Sequence, residues 1–182
     1  MSAERLLRSV VEWLNASGIP YMLTGSVASA FHGAGRATMD VDLVVDPQAA
    51  QLTDLLARIA SSGAYVSEDA AFEALLHRTM FNVVDTESGW KADLIVRKHR
   101  PFSETEFARR TAVDYFGVRL EIASVEDVIL SKLESAKLGG SARHLEDVRA
   151  LIDLNRDTLD YEYLRKWVAA LGISAQWSIA TA

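Results

Sequence analysis

The sequence predicts an α+β protein, a small β-sheet with flanking helices followed by a C-terminal helical subdomain. Three observations carry that expectation. Apolar residues recur at helical spacing near the N-terminus, short β-branched runs occupy the middle, and from Ser124 onward only helical periodicity is left. The expected division is a first unit over residues 1–123 and a helical subdomain over 124–182 packed on it.

Residues 3–16 place Leu6, Leu7, Val10, Val11, Trp13 and Leu14 on one helical face, and Gly18 with Pro20 ends the pattern. The run Tyr21-Met22-Leu23 reads as a strand entering a Thr24-Gly25-Ser26 turn, with a short helix over 27–31. Val41 to Val45 is brief and β-branched, and Asp46-Pro47 closes it. Leu52, Leu55, Leu56 and Ile59 define an amphipathic helix over 48–61, with Gly63 just past its end. Residues 80–84 and 92–96 flank a turn-rich segment and read as a hairpin. Weaker edge strands are expected at 112–116 and 118–122. In the tail, Ser124 with Asp127 resembles a helix start, Gly139-Gly140-Ser141 is a break, and helices resume over 144–154 and 161–171. The last residues read as frayed. The break near Ser124 reads as a subdomain joint, since no Pro-rich linker, repeat or low-complexity tract separates the parts.

Composition excludes several functions. The 182 residues, 49% hydrophobic and 24% charged, suit one compact globular unit. Without cysteine there is neither a disulfide framework nor a thiolate zinc site, and the four histidines lack ligand spacing. The charged N-terminal stretch does not read as a signal peptide, and no segment is apolar enough to span a bilayer. A cytoplasmic protein with no membrane partner is expected. A net charge of −6 argues against a dedicated nucleic-acid binder that neutralises many phosphates.

The chemistry concentrates in four places. Asp40 and Asp42 flank Val41 at the mouth of a strand, so period-two geometry sends both carboxylates to one side of the sheet. That spacing suits a hard divalent cation with oxygen ligands, and equally a solvated pair of aspartates. Gly25-Ser26 lies between strand and helix, where a phosphate can approach main-chain amides; alternatively Ser26 caps the helix and Gly25 makes the turn. Asp93 interrupts an apolar strand, either to complete a three-carboxylate cluster or to face water at a strand end. Arg97-Lys98-His99-Arg100 is the densest basic run and reads as a solvated turn closed by Pro101, with acceptor-RNA contact as the functional alternative. His144 is expected on the polar side of the tail. The chain has neither the GxxxxGK[ST] phosphate loop nor the three-glycine dinucleotide fingerprint.

Thr24-Gly25-Ser26-Val27-Ala28, followed by Arg36-Ala37-Thr38-Met39-Asp40-Val41-Asp42-Leu43-Val44-Val45, resembles the polymerase-beta-like nucleotidyltransferase superfamily. More narrowly, Arg36 and Thr38 before the carboxylates, with Lys132, Arg143 and Asp147 in the tail, is similar to the AbiEii/AbiGii-type toxin nucleotidyltransferases. The resemblance implies a mixed sheet on which Asp40 and Asp42 bridge two magnesium ions, manganese being an alternative, and Asp93 holds the ion that activates an acceptor hydroxyl. It also implies that Gly25 and Ser26 hold a nucleoside triphosphate and that Arg36, Lys137 or, by preference, Lys132 supplies positive charge to the leaving group. Met39 departs from the polar or basic residue that relatives often carry there, on the side away from the carboxylates.

The expected function is transfer of a nucleoside monophosphate to a hydroxyl on RNA, protein or a small molecule, with a toxin–antitoxin pair as one setting and an antitoxin as partner. The competing readings are a non-catalytic nucleotide-binding or antitoxin-like module on the same fold, and an antibiotic-modifying nucleotidyltransferase. Neither the nucleotide nor the acceptor follows from sequence.

Overall fold

The computed structural model describes residues 3–35, 38 and 40–182, and among them lie seven strands and nine helices. In order these are α1 (Ala3–Ala16), β1 (Tyr21–Thr24), α2 (Gly25–Phe31), β2 (Asp40–Val45), α3 (Ala49–Ser62), β3 (Tyr65–Val66), α4 (Glu68–His77), β4 (Met80–Val84) and β5 (Lys91–Val96). They continue with α5 (Pro101–Ala108), β6 (Thr111–Tyr115), β7 (Val118–Ile122), α6 (Val125–Gly139), α7 (Ala142–Asn155), α8 (Tyr161–Ala170) and α9 (Ser174–Ala180). The α+β expectation holds: a mixed sheet in the order β3-β4-β5-β2-β1-β7-β6 carries helices on its faces.

The sheet is mixed because chemistry and connectivity differ along it. β4 and β5 pair antiparallel across a short turn, whereas β2 and β5 pair in parallel with α3, β3, α4 and β4 between them. β1 runs antiparallel to β2 and parallel to β7. Alternation then decides which side chains are buried. Val41, Leu43 and Val45 with Ala92, Leu94 and Val96 are fully buried, and α1 packs against β2 and β5. Asp40, Asp42 and Val44 point the other way.

Several elements differ from expectation for identifiable reasons. The turn at Gly25-Ser26 is already the first turn of α2, with Thr24 at its N-cap, so Ser26 is not the capping residue. Pro101 does not close a turn; it occupies the first turn of α5, where its missing N–H costs nothing. α4 begins after Ser67, whose hydroxyl accepts from the Ala70 amide, and buries only Ala71 and Ala74 completely. Its apolar stripe is too thin to give a periodic signal. β3 is two residues long, α9 orders the segment read as frayed, and β7 is interior because β6 forms the sheet edge.

The tail follows β7 without a tether. Ala123 donates its amide to Leu23 and is buried, and Ser124 caps α6 by accepting from the Asp127 amide. Buried Val128, Ile129, Leu130 and Leu133 join α6 to the same hydrophobic core as the sheet, with α2 against it on one side and α7 and α8 on another. α6 ends at Gly140, which adopts φ +63, a conformation that glycine reaches without strain.

Candidate active site

Strand register builds the site. β1 and β2 set Thr24 opposite Asp42, and β2 and β5 set Asp42 opposite Asp93 and Asp40 opposite Lys91. Because residues two apart share a face, Asp40, Asp42, Lys91 and Asp93 emerge together, and Asn82 joins them from its position opposite Asp93 on β4. The sequence-predicted aspartates are thereby brought together on one face.

Gly25 is required by its contact with Asp42. A Cβ at position 25 would lie 1.9 Å from Asp42 Oδ2, and the residue adopts φ +65, so only glycine lets the carboxylate back onto the start of α2. Ser29 Oγ donates to the Gly25 carbonyl at 2.9 Å and braces that turn. The Ser26 amide donates to the Asp42 carboxylate. Burial, and then the charge of Asp93, nonetheless hold the Asp42 carboxyl above the ordinary aspartate range, with the Ser26 amide and the Lys132 charge only partly offsetting them.

Asp93 is almost fully buried and doubly engaged. Asn82 Nδ2 donates to its Oδ1 at 2.6 Å, and Lys91 Nζ lies 3.3 Å from its Oδ2. Lys91 Nζ also lies 3.4 Å from Asp40 Oδ1. Partial burial works against the Lys91 charge, but the two carboxylates outweigh it and lift the ammonium above the ordinary lysine value. Sequence reasoning missed both Lys91 and Asn82. The signal for Lys91 was present, since it stands two residues before Asp93 and period two puts the pair on one face. Among the described residues no three carboxylates or imidazoles are gathered into a ready-made metal cage. The groups with the chemistry to take a divalent cation are the oxygens of Asp40, Asp42 and Asp93.

A cavity of about 350 Å³ opens beside Asp42, Gly25 and Ser26. Its floor is Val44 and Ile95, and its far wall comes from α5 and α6 through Glu106, Ser131 and Lys132. Lys132, predicted as a nucleotide contact, is buried and pairs with Asp147 of α7 at 2.7 Å. Arg143 is exposed on α7, and Lys137 donates to the Leu171 carbonyl. His144 lines the cavity, contrary to the expected polar exposure. Arg36 lies outside the described residues, as does Met39.

Two members of the basic run are committed, which corrects its reading as a solvated turn. Arg97 reaches Asp46 with two nitrogens at 3.0 and 2.8 Å, and Arg100 grips Glu134 of α6 bidentately at 2.5 Å. Glu106, which no motif or periodicity singles out, is buried behind that clamp and accepts from Ser131 Oγ at 3.1 Å. Burial first, and the nearby Asp127 charge second, push its carboxyl up to about 7.

Neither a protein-family model nor a curated protein sequence matches the chain. Solved structures do. The solution structure of the antibiotic-resistance factor ANT(2'')-Ia is similar at TM-score 0.59 and 15% identity, over 96% of this chain and 92% of that one. An antigenic nucleotidyltransferase-like protein from Paracoccidioides brasiliensis is similar at 0.58 and 19%, over 98% and 92%. The lincomycin-bound lincosamide antibiotic adenylyltransferase LnuA is similar at 0.54 and 10%, over 85% and 98%. At these identities the likeness speaks for architecture, and this chain has the nucleotidyltransferase fold.

Proposed function

We propose that the protein is a metal-dependent nucleotidyltransferase that moves a nucleoside monophosphate from a nucleoside triphosphate to an acceptor hydroxyl. The observation that carries this reading is the desolvated Asp42, seated on Gly25 and in register with Asp93 at the rim of a cavity. Two carboxylates held that close and that dry are costly unless a cation is meant to join them.

The donor set fits magnesium, because Asp40, Asp42 and Asp93 offer oxygen ligands alone. Bound there, the ion supplies charge neutralisation to the triphosphate, activation of the acceptor hydroxyl and stabilisation of departing pyrophosphate. The rest falls to the chain. Ser26 and its neighbouring amides orient the β and γ phosphates, and Lys132, steadied by Asp147, contributes positive potential at the leaving group. Asp93 takes the hydroxyl proton as the acceptor oxygen bonds to the α-phosphorus and the bond to the β-phosphate oxygen breaks.

Within this reading, the AbiEii/AbiGii resemblance points to a toxin that modifies RNA or protein and is restrained by an antitoxin. An antibiotic acceptor is the second reading, favoured by the likeness to an antibiotic-resistance factor and to a lincosamide antibiotic adenylyltransferase. A cationic aminoglycoside calls for unpaired carboxylates, however, and in the cavity Glu134 is clamped by Arg100 and the Glu106 carboxyl is pushed up to about 7, which leaves Asp42, already assigned to the ion. Incubation with each labelled triphosphate, magnesium and either cell RNA, cell protein or aminoglycosides tests the proposal. Transfer should disappear in Asp40→Ala and Asp42→Ala; labelling that persists in both would remove the assigned site.

A further inference from the structure

Lys91 opens β5 opposite Asp40 and two residues before Asp93, so its side chain leaves the sheet on the face that bears the three aspartates. One ammonium is shared between Asp40 Oδ1 at 3.4 Å and Asp93 Oδ2 at 3.3 Å. Asp93 has its other oxygen held by Asn82, so Oδ2 is the oxygen that Lys91 and an incoming ion must contest. Asp42 is served differently, by the Ser26 amide and the more distant Lys132 charge. The three carboxylates are therefore not equivalent before any ligand arrives. Two already share a cation, and one does not.

We propose that Lys91 is a tethered counter-ion that competes with a divalent cation for Asp40 and Asp93, so that the acceptor-side ion position stays closed until Lys91 is displaced. The inference rests on the metal-dependent reading above. Its physical basis is that a cation and an ammonium repel strongly at the separation that sharing these oxygens would impose. The Lys91 side chain is 40% exposed and flexible, so it can swing toward solvent, while Asp93 at 12% cannot follow. Lys91 is thus a positioning residue: it screens the carboxylates from each other in the empty site and sets how tightly an ion binds without nucleotide. A nucleoside triphosphate, by adding negative charge beside Asp42, gives the displaced ammonium and the ion a common counter-charge. Metal loading is thereby linked to nucleotide loading. A purely structural role predicts otherwise, because the loss of an ion pair whose lysine is 40% exposed costs little stability and does not by itself tighten ion binding.

The test uses Mn²⁺ alone, without nucleotide, titrated into the full chain and followed by the electron paramagnetic resonance signal of the free ion. Lys91→Met is expected to bind Mn²⁺ about tenfold more tightly than wild type at low ionic strength, while Lys91→Arg stays within about twofold. The gain should shrink as salt is raised. Binding by Lys91→Met that equals or falls below that of wild type overturns the inference. Asp42→Asn separates the two levels: if it weakens Mn²⁺ binding while Lys91→Met changes nothing, only the role of Lys91 is lost. If Asp42→Asn binds as wild type does, the metal-site reading beneath it fails.

Discussion

Replacing Gly25 by alanine tests whether the α2 entrance is shaped by Asp42 or kept open for a phosphate. The main chain there is left-handed at φ +65, which costs a Cβ-bearing residue about 1–2 kcal/mol. The new Cβ would also fall 1.9 Å from Asp42 Oδ2, so the carboxylate must leave its rotamer at a further cost of about 0.5–1.5 kcal/mol. Together these predict a loss of about 1.5–3.5 kcal/mol with no ligand present. Urea denaturation of wild type, Gly25→Ala, Asp42→Ala and the double variant reads it. Asp42→Ala removes the carboxylate but keeps a Cβ 2.7 Å from the new one, so it relieves the rotamer cost alone and gives a coupling of about 1 kcal/mol between the two positions. A Gly25→Ala protein within about 0.5 kcal/mol of wild type, or strict additivity, would refute the reasoning and return Gly25 to a role in ligand approach alone.

Glu106 should make stability depend on pH. Its carboxyl lies near 7 in the folded chain against an ordinary 4.5, so the folded state holds the proton more tightly. The contribution is fully present below pH 4.5 and is lost as pH rises toward 7; at 1.36 kcal/mol per unit the loss approaches about 3 kcal/mol. Glu106→Gln, compared with wild type by urea melts at pH 5 and pH 8, should therefore gain relative stability at the higher pH, and parallel curves would contradict this. Lys132→Met leaves Asp147 buried without its 2.7 Å partner and is expected to cost about 3–5 kcal/mol, measurable as a lowered urea midpoint. Tyr163→Phe removes a 2.6 Å hydrogen bond donated to the fully buried Asp127 and should cost about 1.5–3 kcal/mol by the same measurement.

Much of this arrangement was legible in the sequence because local signals agreed with the global fold. β-branched runs and period two located β2 and β5, and the aspartates that interrupt them marked the face that carries the site. Long-range partnership was not legible. Nothing local to Lys91, Asn82 or Glu106 says which strand or helix will lie opposite, and the pairing of Arg97 with Asp46 spans the whole α3–β5 segment. α5 is hidden in the sequence because a proline after a basic run suits the end of a turn as well as the start of a helix, the place Pro101 takes. α4 and β3 were hidden by size, the one burying too few large side chains and the other too short for alternation to show.

The parallel pairing of β2 with β5 has a consequence for how this chain tolerates change. A slip of one residue would turn Asp93 toward the hydrophobic interior and bring Ala92 or Leu94 out beside Asp42, so a misaligned sheet also loses its carboxylate cluster. Fidelity of alignment is thus inspected by folding itself, since the wrong register strands a carboxylate among Val41, Leu43 and the apolar face of α1. Length variation has its outlet at the exposed Thr86-Glu87 tip of the turn, outside both strands of the β4–β5 hairpin and beyond the buried Asp85 that organises it. Peptide tags or reporter insertions belong there, where they lengthen a loop and leave the spacing of charges across the three strands untouched.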